Sequence, residues 1–320
     1  MPLTDPEQMG RLQTIFYDSN NCRAETMGNE SLVSPRIRLL ETVTSAVRRF
    51  VDAQSQFWPP GNPPSELFHY TSPEGFIGII TSKTLWASDM LGLNDASEVE
   101  YPIAVVNEAL EASGINIPGY AKERFGTQLL SNMFRIYQPY VTCFCENGDL
   151  LSQWRAYGGG GEGFSLGFRF SWLHALEQKF LRLQKVIYNR DQQIDLVLMF
   201  LVTASGAIAG EGWSEEEQRL FWQDAAASLT PWVIMFKNPA FEEEAEWRLV
   251  NTIPRNDLQF RRSGHRIVPY VEIPIGDLAL GRVIRGPYFR GTEQRGAGIM
   301  LRSKCFISAQ LEDSKIPLNR

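Results

Sequence analysis

Phe241-Glu242-Glu243-Glu244-Ala245-Glu246-Trp247-Arg248-Leu249-Val250 holds more chemistry than any other ten residues of this sequence. Read with a strand's period of two, it points Glu242, Glu244, Glu246 and Arg248 to one face, and Phe241, Ala245, Trp247 and Leu249 mostly to the other. Carboxylates about 7 Å apart beside an arginine form a grouping that strand propensity does not select, because Glu is depleted in strands. Two readings follow. Either the polar face meets a ligand, or this is an edge strand whose charges deter edge-to-edge pairing, with Glu246 and Arg248 in water.

Four other segments carry candidate groups. Leu67-Phe68-His69-Tyr70-Thr71-Ser72 places one of only three histidines at the end of an apolar strand, before a helix that Ser72 caps and Pro73 begins. That histidine is either a ligand contact or a core imidazole bonded to backbone. Leu93-Asn94-Asp95-Ala96-Ser97-Glu98 reads first as a helix cap, Asn94 or Asp95 satisfying free N–H groups and Glu98 reaching back; a functional role for the three is the lesser reading. In Leu151-Ser152-Gln153-Trp154-Arg155-Ala156-Tyr157, Trp154 and Tyr157 offer an aromatic face. The glycine run that follows, Gly158 to Gly163 around Glu162, lacks the Lys-Ser or Lys-Thr of a P-loop. It permits close approach of backbone to a flat ligand or to another strand, or forms a hairpin loop. Arg261-Arg262 with His265 and Arg266 is the one compact basic cluster, read as a solvent-facing loop or as a patch for a phosphate-bearing target.

Composition narrows the classes. The 320 residues carry a net charge of -6, and 43% are hydrophobic, as in an ordinary globular protein. The sequence pI near 5.3 argues against a broad nucleic-acid footprint. Cys22, Cys143, Cys145 and Cys305 are scattered; Cys143 and Cys145, on one strand face, are read as core or redox-inert, and with the histidines far apart no zinc pattern is made and no metal is expected. Apolar stretches such as Ile194 to Ile208 are too short and too polar to span a bilayer. No basic region followed by an apolar stretch opens the sequence, so a cytoplasmic location is expected, without membrane contact.

Those groups must be positioned by elements of both kinds. Residues 1–64 read as a helical extension, with apolar spacing through Leu39, Leu40, Val43, Val47 and Phe50, closed by Trp58-Pro59-Pro60-Gly61-Asn62-Pro63-Pro64. Residues 65–320 read as one domain with helical insertions at about 98–138 and 191–236. Strands are expected at Leu67–Tyr70, Thr84–Ser88, Tyr140–Glu146, Phe164–Phe170, Lys185–Tyr188, through the acidic segment, and at Ile267–Ile273, Arg282–Arg285 and Phe306–Ala309. Helices are expected at Pro73–Ser82, Glu98–Ala112, Ala121–Ile136, Asp191–Ile208, Ser214–Phe236 and Gln294–Lys304. Without steady βαβ alternation, the pattern predicts an α+β fold with mixed or mostly antiparallel central sheets and inserted helices.

With these segments in order, the sequence resembles a bacterial family catalogued as domain of unknown function 2971. Phe68-His69-Tyr70, Leu85-Trp86-Ala87-Ser88, Asn94-Asp95-x-x-Glu98, Cys143-Phe144, Leu151-Ser152-x-Trp154-x-x-Tyr157, Gly163 to Phe168, Lys185-Val186-x-Tyr188, Glu244-x-Glu246-Trp247-Arg248, Gly286-Pro287 and Ser314 to Leu318 carry it. The succession also looks like a remote version of the ADP-ribosyltransferase fold. That resemblance implies NAD as substrate, with Glu246 or Glu244 as the acid and His69, near Tyr70 and Thr71, on a ribose hydroxyl. It also implies Tyr157 or Trp154 stacking on a base and Arg248 or Arg155 at the pyrophosphate. A carboxylate held against the sugar would stabilise oxocarbenium charge in the transition state. The implied partner is an unknown macromolecule, protein or nucleic acid, modified by a toxin or phage-defence effector. Two alternatives compete: a metal-dependent hydrolase or nuclease using Asp95, Glu98, Glu244 and Glu246, and a non-catalytic sensor module that cradles a nucleotide.

Overall fold

Apolar residues at Leu40, Val43 and Val47 recur at helical spacing, and in the computed structural model of this chain all three are buried on one side of a helix. The structure describes residues 35–53, 63–92, 97–115, 119, 125, 138–176, 181–209, 212–251, 258–263, 265–288 and 295–317. Its first elements are α1 (Pro35–Ala53), β1 (Glu66–Thr71), α2 (Pro73–Ser82), β2 (Thr84–Asp89), α3 (Ser97–Ala112), β3 (Tyr140–Cys145), α4 (Leu151–Ala156), β4 (Phe164–Arg169) and α5 (Phe170–Ala175). There follow β5 (Leu181–Lys185), α6 (Arg190–Ile208), α7 (Glu215–Val233), β6 (Glu246–Asn251), β7 (Gln259–Ser263), β8 (Arg266–Pro274), β9 (Leu280–Arg285), α8 (Arg295–Ser303) and β10 (Gln310–Asp313).

The chain folds as two compact units. Residues 1–60, 94–138 and 187–239 make the helical one. Its core joins Val43 and Val47 of α1, Val105 and Val106 of α3, Leu196 and Phe200 of α6, and Phe221, Trp222 and Leu229 of α7. Caps fix where these helices start: the Asn189 side chain accepts from the Gln192 backbone at 3.0 Å, and Ser214 with Glu217 completes a reciprocal capping box. The amide of Gln193, fully buried, donates to the carbonyls of Ile187 and Lys237 and accepts from the Tyr101 hydroxyl, so no polar atom of that side chain is wasted.

Residues 61–93, 139–186 and 240–320 form the sheet unit. Strands run β10-β9-β4-β1-β3-β2-β8-β7, with β6 paired to β3 and β5 paired to β6. Among the strands described, only the β10–β9 pairing is parallel, so the sheet is mixed and mostly antiparallel, and the protein is α+β as expected. The Ser72 side chain accepts from the Gly75 backbone at 3.2 Å and Pro73 opens α2, as the sequence predicts.

Several expectations are corrected. The acidic run is not strand: Pro239–Glu244 forms a 3-10 turn, and Ala245, at φ 41°, breaks the chain's direction before β6 begins at Glu246. A turn started by Pro239 suits acidic residues that a strand disfavours. The face shared at a period of two therefore shrinks to Glu246 and Arg248. Nor is β6 a solvated edge, because it lies between β3 and β5 with every residue buried. β5 falls at Leu181–Lys185, earlier than expected, and the last strand is Gln310–Asp313, since Phe306 is instead a buried anchor of the preceding turn. Helices α4 and α5 and strand β7 were not anticipated; the first two are of 6 residues each, too short to show a helical period. The helix expected over Ala121–Ile136 lies almost wholly outside the described residues.

Candidate functional site: a split edge of β3

One edge of β3 pairs with β6 along its whole length, from Tyr140 with Asn251 to Cys145 with Glu246. Its other edge is shared: β2 takes one end, Ser88 opposite Val141, and β1 takes the other, Phe68 opposite Cys145. Between them the backbone ladder lapses and side chains replace it. His69 Nδ1 donates to the Cys143 carbonyl at 2.9 Å, and the Thr142 hydroxyl donates to the Trp86 carbonyl at 3.2 Å. Desolvation, and secondarily the nearby Arg261 guanidinium, hold the His69 pKa below its usual value. The ring is thus neutral with its proton on Nδ1, which leaves Nε2 as an acceptor without a hydrogen-bond partner among the described residues.

Register settles which side chains share a face around the split. Trp86 pairs with Glu272, Ser88 with Tyr270, Arg261 with Val268, Cys143 with Arg248 and Cys145 with Glu246. Strand alternation then puts Trp86, Ser88, Tyr270, Glu272, Arg261, Arg248 and Glu246 on one face of the sheet. Phe68 pairs with Cys145 on that face, so His69 alternates to the opposite one, where its ring is edge-on to Phe144 at 6.0 Å, and only its Nδ1 reaches back into the split.

Glu246 is committed. Arg248 donates from Nε to its Oε1 at 2.7 Å and from NH2 to its Oε2 at 3.3 Å, and both side chains are buried. A carboxylate so neutralised is poorly suited to stabilise a further positive charge. Glu244, half-buried, ends the 3-10 turn. Tyr70 and Trp154 stay together, rings 4.9 Å apart, but in a core with Phe68, Cys145 and Ile284 where Trp154 is fully buried. No ligand can stack there. Arg155 and Tyr157 are exposed at the end of α4, and Thr71 is buried at the end of β1. Glu98 belongs to the helical unit, where it pairs with Lys237 at 3.4 Å. Asn94 and Asp95 lie outside the described residues. No group of three or more His, Cys, Asp or Glu that could hold a metal occurs among the described residues.

Sequence reasoning passed over Trp86, Ser88 and Tyr270 as site residues. Trp86 and Ser88 stand inside one of the motifs quoted above; Arg261 stands in the basic cluster, whose local charge favoured a loop. A concavity of about 450 Å³ opens elsewhere in the sheet unit, walled by Glu146, Asp149, Glu312 and Asp313 against Arg282 and Lys315. Its surplus of carboxylates repels phosphates.

Burial pushes the Cys145 thiol up to about 12, reinforced by Glu244, Glu146 and Glu246. Thiolate is the reactive form. Iodoacetamide at pH 8 is therefore expected to alkylate exposed Cys305 and to leave Cys145 unmodified in the folded protein, as read by peptide mass spectrometry. Native-state labelling of Cys145 would contradict its place in the core.

Residues 153–249 match the family described as Protein of unknown function (DUF2971), the family to which the motifs pointed. No curated protein and no solved structure matches the chain. No helix among the described residues is long and apolar enough to cross a membrane.

Proposed function

We propose that the sheet unit binds a nucleotide of the NAD class at the split between β1 and β2, and acts as a binding or sensing module. One observation carries this reading: His69 is fixed as its Nδ1–H tautomer in the split, presenting an unpartnered Nε2 that suits a ribose hydroxyl. The Trp86–Tyr270 pair, ring centroids 4.7 Å apart, lies on the face that carries Arg261, which strand register makes the face opposite His69, so a nucleotide that met both would pass through the gap between β1 and β2.

ADP-ribosyl transfer is the second reading, favoured by Glu246 sharing that face. What speaks against it is the double bond from Arg248. Calorimetry with NAD, together with an assay of nicotinamide release, separates the two. The expected result is binding without release, weakened about tenfold in His69→Ala, the worth of one good hydrogen bond. Release by the wild type that disappears in a folded Glu246→Gln variant would replace binding with transfer. Absence of NAD binding at millimolar concentration would end the nucleotide reading.

A further inference from the structure

We propose that Arg261 and Ser88 form an oxyanion site that takes a phosphate group. The basic cluster of the sequence folds as the β7–β8 hairpin, and its members part company there. Arg262, His265 and Arg266 are exposed, whereas Arg261 turns inward and donates from NH2 to the Ser88 hydroxyl at 2.9 Å. Its Nε is buried without a hydrogen-bond partner. No carboxylate among the described residues pairs with it.

Other arginines show how unusual this is. Arg248 has Glu246, Arg282 has Glu66, Arg285 has Asp313 and Arg190 has Glu108. Withdrawing a guanidinium from water without an opposite charge is costly, and such a group is retained where a ligand supplies that charge. Desolvation indeed depresses the Arg261 pKa, with Tyr270 opposing it.

The donors suit a tetrahedral anion. Ser88 already accepts from Arg261, which leaves its own O–H to donate; Trp86 Nε1, on the same face, is a second buried N–H without a partner. Oxygens directed along several axes can meet donors on β7 and on β2, whereas a planar carboxylate engages the arginine alone. Of the other charged groups, Glu272 bears on Tyr270, and His69 is held neutral.

The site does not depend on the nucleotide reading. The test titrates the full chain with inorganic phosphate, with AMP and with acetate, followed by calorimetry and by the Arg261 side-chain Nε–H resonance. Phosphate and AMP are expected to shift that resonance and acetate to bind at least about tenfold more weakly, with Arg261→Gln losing about tenfold or more in phosphate affinity and Ser88→Ala a few-fold. Arg261→Gln is also expected to unfold at a urea midpoint no lower than the wild type, because it removes an unpaired charge. Equal phosphate binding by Arg261→Gln, equal binding of acetate, or a lowered midpoint would overturn the proposal. Phosphate binding without NAD binding would sink the nucleotide reading and leave this site standing; no phosphate binding would sink this site even where NAD binds.

Discussion

Arg248→Met is expected to lower the unfolding free energy by about 3–5 kcal/mol, the loss typical when one member of a buried ion pair is removed. The reason is the group left behind. Glu246 is buried between β3 and β5 and takes two bonds from Arg248, so the substitution strands a carboxylate where water cannot solvate it. Replacing both, Glu246→Gln with Arg248→Met, is expected to recover part of the loss, because no full charge then remains inside. Urea unfolding of Arg248→Met, of Glu246→Gln and of the double variant reads these differences directly. The outcome also bears on catalysis: an acid kept for chemistry tends to cost stability, so its removal leaves the fold intact or firmer while turnover falls. Were Glu246→Gln as stable as the wild type, the pair would not be structural, and the acid would again be available for the transfer reaction.

Much of the fold was legible because local chemistry and long-range packing agree. Ser72-Pro73, Asn189 and Ser214-x-x-Glu217 start helices by satisfying N–H groups that belong to their own first turn, so the signal is complete within a few residues. The spacing of Leu40, Val43 and Val47 likewise announces the buried side of α1. What escaped depends on partners remote in sequence. β7 contains Arg261-Arg262 and an exposed Phe260, so it has no alternation of its own and is a strand because β8 pairs with it. Phe306 and its neighbours have the apolar content of a strand, yet it is Gln310–Asp313 that lies against β9.

The candidate site was legible in its segments and less so in its side chains. His69 was singled out by its strand-end position, and it does sit at a break in the ladder; nothing local, however, says that β1 and β2 divide one edge of β3 between them. Glu246 and Arg248 were noticed for their charges, while their mutual neutralisation follows from β6 being interior, which strand composition argued against. Arg261 was read within a run of four basic residues. Only the register of β7, β8 and β2 separates it from the three that face water.

Gly163→Ala is expected to destabilise the protein by about 3 kcal/mol or more, at the upper end of overpacking costs. A methyl group there would stand 2.1 Å from the Thr71 carbonyl oxygen and 2.8 Å from that of Gly158. Both obstacles are backbone, so no rotamer relieves them, and the Gly163 backbone is already bonded to Gly158 on one side and Gly286 on the other. The methyl must push β4 from β1 at the pairing of Thr71 with Phe164, two residues from His69. Gly160→Ala in the same run meets nothing within 4 Å and pays only for its φ of 67°, about 1 kcal/mol. Urea midpoints of the two variants decide what the glycines are for. A large loss at Gly163 with a small one at Gly160 means the run exists to let β1 and β4 approach; small losses at both would mean a loose hairpin loop, and the split beside His69 would lose the rigid strand that holds it open.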